Sequence, residues 1–233
     1  MARADAGKIY ESLSETGLLP LFSQADAETA IGLATALANA GCTLLELTHR
    51  NENALEVFKK TEAYFAKQPN GLLLGAGSVV DAATAAAYME AGACFIVGPG
   101  FVEEVAVACR QRMVPYIPGC LTPTELLRAE KAGSKVLKLF PASQADPGLI
   151  KALKGPCPWM HIMPTGGVKL DEASLKAWFD AGAFCVGAGS ELFPADEVEA
   201  KDWAPIEARV RQALALVAKL KPKIIRWSGE WGS

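Results

Sequence analysis

The sequence predicts an α/β protein, a TIM (β/α)8 barrel preceded by an extra N-terminal helix and built as a single domain over residues 1–233. Three observations predict it. Eight short apolar segments alternate with helical patterns along the chain. Most of those segments are nearly continuous apolar runs, as in parallel strands buried on both faces. Three helix-to-strand joints also share one form, Ala91-Gly92-Ala93, Ala132-Gly133-Ser134 and Ala181-Gly182-Ala183, the mark of a repeated strand–helix module.

The elements follow in order. Residues 6–16, within an N-terminal segment 1–17, read as a short amphipathic helix. Residues 18–22 read as the first strand, and the alanine- and leucine-rich stretch 26–40 as a helix with Gly41 as its C-cap. A strand over 43–48 precedes a helix over 53–67, and a strand over 71–75 precedes a helix over 80–91 stopped by Gly92. Strands at 94–97 and 114–117 lead into helices at 102–112 and 123–132. The strand at 135–140 is followed, after a delay over 143–147, by a helix at 147–153. The seventh unit is a strand at 159–163 with a helix at 171–181; a strand at 183–186 begins the eighth, and a helix over 203–220 closes the chain. Residues 222–233 form a tail carrying Trp227 and Trp231, which either packs on the barrel or a neighbouring subunit or stays flexible. An open doubly wound sheet is the alternative architecture. It usually places a glycine-rich dinucleotide turn after the first strand, whereas Gly75-Ala76-Gly77 follows the third and lacks the third glycine.

Composition narrows the class of function. A net charge of −3 with scattered basic residues gives no footprint for nucleic acid, so a small-molecule partner is expected. Six cysteines without a C-x-x-C pair point to reduced, buried thiols rather than disulfides or zinc. With His49 and His161 as its two histidines, the chain is poorly equipped for a histidine-based metal site. The polar, charged N-terminus resembles neither a signal peptide nor a membrane anchor, so a cytoplasmic protein is expected.

The residues that stand out lie where strands end, the face on which barrels carry their chemistry. Lys138 interrupts the apolar run Val136-Leu137-Lys138-Leu139-Phe140 and shares a face with Val136 and Phe140. Burial disfavours an ammonium, lowers its pKa and leaves a neutral amine able to attack a ketone. The alternative is a lysine that snorkels to solvent or pairs with a carboxylate. Glu46 shares the opposite face of its strand from Leu45 and Leu47 and should point into the barrel; strands two and six contribute to one interior layer, so Glu46 and Lys138 can meet. A purely structural buried ion pair is the competing account. Thr165-Gly166-Gly167 and Gly187-Ala188-Gly189-Ser190 follow strands seven and eight, the usual phosphate site of barrels, although turns that pack helices use glycine as well.

With Leu45-Glu46-Leu47-Thr48-His49-Arg50, Gly75-Ala76-Gly77-Ser78-Val79, Gly98-Pro99-Gly100, Pro118-Gly119, Lys138-Leu139-Phe140-Pro141-Ala142 and Pro164-Thr165-Gly166-Gly167-Val168 in view, the chain resembles a known family. It is similar, from Leu18 to Pro194, to the class I, Schiff-base-forming aldolases of 2-keto-3-deoxy-6-phosphogluconate (KDPG) and 4-hydroxy-2-oxoglutarate (KHG). The resemblance implies that Lys138 forms an imine with the C2 ketone and that Glu46 shuttles protons. It implies that Arg50 binds the pyruvyl carboxylate, that Ser78 and Thr165 supply hydroxyls, and that Pro99 and Phe140 form apolar walls. Gly166, Gly167, Gly189 and Ser190 would hold the phosphate. It further implies no cofactor beyond the lysine imine, no metal, and a homotrimer. Two departures stand out: Ser78 replaces a common threonine, and Leu21-Phe22-Ser23-Gln24 lacks an arginine that many relatives carry. The Arg50 and Pro164-Thr165 segments favour the gluconate substrate over its galactonate epimer. Outside the family, a phosphate-binding isomerase or synthase using Lys138 without an imine, or a non-catalytic sugar-acid-binding or assembly protein, would use the same residues differently.

Overall fold

The computed structural model describes residues 4–68 and 71–222; the expected tail with Trp227 and Trp231 lies outside the described residues. The chain opens with helix α1 (Ala6–Thr16), whose N-cap Asp5 accepts from the Lys8 N–H and whose C-cap Gly17 takes φ 67°. Strand and helix then alternate: β1 (Leu18–Phe22), α2 (Ala27–Ala40), β2 (Leu44–Thr48), α3 (Ala54–Phe65), β3 (Leu73–Gly77), α4 (Ala82–Glu90), β4 (Phe95–Val97) and α5 (Glu103–Gln111). The fifth unit has two short strands, β5 (Tyr116–Ile117) and β6 (Gly119–Cys120), before α6 (Pro123–Lys131). After them come β7 (Val136–Leu139), a 3-10 turn (Ala142–Gln144), α7 (Pro147–Lys154), β8 (His161–Pro164), α8 (Glu172–Asp180), β9 (Val186–Ala188), α9 (Ala195–Glu199) and α10 (Trp203–Leu220).

The strand pairings are all parallel and make a curled sheet covered by helices, as the apolar runs predict. Six strands run in the order β5-β4-β3-β2-β1-β9 and three in the order β6-β7-β8, with a parallel bridge from Thr165 to Gly187. Pro118 separates β5 from β6, and its carbonyl accepts from the Lys138 N–H at 2.9 Å. Gly92, Gly133 and Gly182, the glycines of the three repeated joints, take φ of 103°, 103° and 99°, so each ends its helix in the left-handed turn that glycine alone adopts freely.

Several boundaries move toward the C-terminus. The third strand is 73–77 rather than 71–75, and the last is 186–188 rather than 183–186, so Gly77 and Gly187 are strand residues and not loop glycines, and Gly75 lies mid-strand rather than at the strand's end. The reason is close approach: a β-carbon at Gly75 would lie 2.2 Å from the Phe95 ring, and one at Gly77 would lie 1.9 Å from Glu46 Oε1. α9 was not foreseen; it is five residues long, buries none of them, and is held by Arg209, whose Nη1 and Nη2 donate to Glu197 Oε2 and Oε1 at 2.8 and 2.6 Å.

Two apolar clusters divide the strand residues by face. Leu45 and Leu47 pack with the helices, whereas Leu19, Leu44, Phe95, Val136, Met163 and Phe184 meet Ile9, Tyr10 and Leu13 of α1. Leu19, Leu44, Phe95 and Val136 stand first or second in β1, β2, β4 and β7, and Phe184 just precedes β9, so α1 covers the N-terminal end of the sheet. Each fully buried leucine or isoleucine there contributes about 1.5–3 kcal/mol. α10 buries Ile206, Val210, Ala213 and Val217 as one stripe at helical spacing, and Trp203 at its start lies so close to α2 that a methyl on Gly32 would meet its ring at 2.7 Å. Among the described residues, no helix is long and apolar enough to cross a membrane.

His161, at the start of β8, stacks edge-on against Phe184 with ring centroids 4.6 Å apart. Burial, with Lys154 nearby, holds its pKa down at about 4 against the ordinary 6.5. The unfolded chain takes up this proton below pH 6.5 and the folded chain does not until about 4, so stability is lost as pH falls through that window. Urea midpoints should therefore fall more steeply between those pH values for the parent than for His161→Gln. Parallel profiles would refute it.

Candidate active site

Glu46 and Lys138 are each the third residue of their strand, β2 and β7. Both side chains are buried, with Glu46 at 0% and Lys138 at 4% exposure, and Lys138 Nζ lies 3.9 Å from Glu46 Oε1. That is an ion-pair distance and too long for a hydrogen bond. Accordingly, neither oxygen of Glu46 has a hydrogen-bond partner among the described residues. Two buried acceptors left this way are costly in a stable core, and they mark groups shaped for something other than packing. Burial lowers the Lys138 pKa; Glu46 opposes the shift and Arg50 adds to it. The ammonium also sits over the Phe140 ring, 5.0 Å from its centroid.

Arg50 follows β2 and extends to the same end of the sheet. Its Nε donates to Ser78 Oγ at 3.1 Å. Ser78 holds φ 60°, a left-handed backbone that costs a residue with a β-carbon about 1 kcal/mol or more. The turn between them is fixed by the His49 N–H on the Gly77 carbonyl at 2.8 Å, and by His49 Nδ1 against the Tyr88 hydroxyl at 2.9 Å. Thr165 is buried, and its Oγ1 has no hydrogen-bond partner among the described residues. Gly187 leaves room for it, since a β-carbon there would lie 2.3 Å from Thr165 Oγ1.

The four residues expected to hold phosphate fall into two groups. Gly166 and Gly167 take φ of 82° and 90° in a turn where the Ser143 N–H donates to the Gly166 carbonyl at 2.8 Å; Gly166 faces the Phe140 ring. Gly189 and Ser190 instead line a cleft of about 580 Å³, together with Ser23, Gln24, Thr29, Arg50, Glu199 and Lys201. Pro99 stands exposed after β4, its carbonyl packed against Gly119. Ser23 and Gln24 stand out in the sequence only for the arginine they lack, although they directly follow the first strand, where a barrel places its chemistry. Lys201 carried no signal, because nothing in the sequence brings the start of α10 to this end of the sheet. A second cavity, of about 540 Å³, lies at the opposite end beside Ala6, Tyr10 and Met113, away from Lys138. Among the described residues, no group of three or more histidine, cysteine, aspartate or glutamate side chains is placed to hold a metal ion.

A family model described as KDPG and KHG aldolase matches residues 9–209. The 2-dehydro-3-deoxy-phosphogluconate aldolase of Pseudomonas aeruginosa is 34% identical over 207 residues, covering 88% of this chain and 91% of that protein. The KHG/KDPG aldolase of Escherichia coli strain K12 is 34% identical over 211 residues, covering 88% and 94%. Among solved structures, a KDPG aldolase from Legionella pneumophila, with pyruvate captured as a covalent carbinolamine, superposes with a TM-score of 0.79 at 27% identity, covering 91% of this chain and 98% of that one.

Proposed function

The chain belongs to the KDPG and KHG aldolase family, and on that premise we propose that it cleaves 2-keto-3-deoxy-6-phosphogluconate to pyruvate and glyceraldehyde 3-phosphate through an imine on Lys138. 4-Hydroxy-2-oxoglutarate, split to pyruvate and glyoxylate, is the second substrate. The observation that carries the proposal is the buried Lys138–Glu46 pair at 3.9 Å, with both carboxylate oxygens lacking hydrogen bonds among the described residues. A lysine kept partly neutral by burial attacks the C2 ketone, and a hydroxyl lying between the two side chains can bond to both. Glu46 assists loss of water from the carbinolamine, then takes the C4 hydroxyl proton as the C3–C4 bond breaks. The bonding electrons pass to the iminium and give the enamine of pyruvate; glyceraldehyde 3-phosphate departs, Glu46 returns a proton to C3, and hydrolysis releases pyruvate. No cofactor enters these steps, because the imine itself is the electron sink.

In this scheme Arg50, held by Ser78, takes the carboxylate with its planar fork. Thr165 directs its hydroxyl to the same end of the substrate, and Phe140 and Pro99 wall the site. Gly166, Gly167, Gly189 and Ser190 receive the phosphate. We further infer that both sheets belong to one closed eight-stranded barrel in a single domain over residues 1–233, with β5 and β6 as one strand interrupted at Pro118. The Thr165–Gly187 bridge supports closure. The extra N-terminal helix then plugs the far mouth, supported by Ile9, Tyr10 and Leu13 in the second apolar cluster. A cytoplasmic homotrimer completes the proposal; sedimentation velocity tests the trimer, which requires three times the 24.6 kDa chain mass.

The test is pyruvate release, followed by coupled reduction to lactate, from the gluconate substrate, its galactonate epimer and 4-hydroxy-2-oxoglutarate. The gluconate compound should give the highest kcat/KM, by about tenfold or more over the epimer. A folded protein that releases pyruvate from none of the three would rule the aldolase assignment out.

A further inference from the structure

We infer that Lys201 is the cation that binds the substrate's phosphate, and thereby sets the preference for phosphorylated over unphosphorylated keto acids. The identity of the phosphate ester rests on the aldolase assignment above; the anion site itself does not.

Among the described residues lining the 580 Å³ cleft, Arg50 and Lys201 carry positive charge and Glu199 carries negative charge. Arg50 is engaged elsewhere: it donates to Ser78 and lies close enough to Lys138 to depress its pKa. Lys201 is left as the other cation lining the cleft that Gly189 and Ser190 also line. Its backbone holds φ 52°, a left-handed conformation that residues other than glycine, asparagine and aspartate seldom take. An observed outlier of this kind at a cleft is a pointer to function.

The turn that carries Lys201 is tied by hydrogen bonds to the Gly189–Ser190 loop. The Lys201 N–H donates to the Val198 carbonyl at 3.1 Å and the Asp202 N–H to the Glu197 carbonyl at 3.0 Å. Glu197 is gripped by both terminal nitrogens of Arg209, whose Nη1 also donates to the Leu192 carbonyl at 3.2 Å. The Leu192 N–H in turn donates to the Gly189 carbonyl at 2.9 Å. A continuous path of hydrogen bonds therefore holds the lysine's backbone in register with the loop expected to receive phosphate. The present partner of the ammonium is Glu28 Oε2 at 3.3 Å, on a side chain 84% exposed. So exposed a pair is held weakly, and a phosphate dianion with charge-assisted hydrogen bonds replaces it readily.

The experiment compares the parent with Lys201→Gly, which adopts this backbone without strain, and with Lys201→Arg, which restores a cation. For each, kcat/KM is measured on the phosphorylated gluconate substrate and on 4-hydroxy-2-oxoglutarate, and inorganic phosphate is used as an independent probe of binding by thermal shift. In Lys201→Gly the ratio of the two kcat/KM values should fall about tenfold or more, mainly through KM, with recovery in Lys201→Arg. The shift given by phosphate should shrink in parallel. A ratio within about twofold of the parent's, or an unchanged phosphate shift in Lys201→Gly, overturns the inference. A parent that binds phosphate through Lys201 yet cleaves neither keto acid removes the aldolase assignment and leaves the anion site standing.

Discussion

Lys138→Arg should abolish covalent capture of pyruvate by borohydride and lower kcat for cleavage by on the order of 10⁴-fold or more, while the protein stays folded. Arginine keeps a positive charge beside Glu46, so the buried pair persists, but a guanidinium does not deprotonate and forms no imine. Intact mass after incubation with pyruvate and borohydride should show one adduct on the parent, mapping to Lys138, and none on the variant. The pH dependence gives a second check. Burial, the largest influence on Lys138, lowers its pKa below the ordinary 10.5, with Glu46 opposing and Arg50 assisting. Neutral amine is therefore present at pH values where a surface lysine is protonated, and the trapping rate should rise with pH along a curve centred below 10.5. An adduct that survives in Lys138→Arg, or a parent that forms none, would remove the imine.

What the sequence disclosed depended on how local each cause was. The meeting of Lys138 with Glu46 was readable because strand periodicity fixes which residues face inward, and alternate strands of a barrel share a layer. Helix ends were readable where a glycine must take positive φ, as at Gly41, Gly92, Gly133 and Gly182. Gly77 and Gly187 were misread as loop residues and Gly75 as the last residue of its strand, because a glycine required by a neighbouring side chain looks the same in sequence as one required by its own backbone. Their cause is non-local: the Phe95 ring, the Glu46 carboxylate and the Thr165 hydroxyl occupy the space a methyl would need. The third strand's bounds shifted for a related reason. Pairing of Leu44 with Leu73 and of Thr48 with Gly77 sets where the ladder runs, and the apolar run does not. α9 and Lys201 had no periodic signal at all, since a five-residue helix with nothing buried is stabilised by a single arginine fork from α10.

Glu46→Gln separates a proton shuttle from a structural counter-ion. The two side chains have nearly the same shape, and a glutamine cannot take up a proton at the C4 hydroxyl or return one to the enamine. Loss of a positioned general acid–base of this kind costs about 10²–10⁴ in kcat. The amine, however, should remain available. Glu46 raises the pKa of Lys138, so its removal leaves burial and Arg50 acting together and favours the neutral form further. Borohydride trapping of pyruvate should thus continue in Glu46→Gln at a rate far less reduced than turnover, and deuterium uptake into the pyruvate methyl group in heavy water should fall with turnover, because it reports proton return at C3. A structural pair predicts a different pattern. Removing one partner of a buried ion pair leaves the other charge uncompensated at a cost of about 3–5 kcal/mol. Trapping, exchange and cleavage would then fall together with the melting temperature. Methyl exchange lost while the adduct is retained can arise only if the carboxylate, 3.9 Å from the amine and without a hydrogen-bond partner among the described residues, is the group that moves the proton.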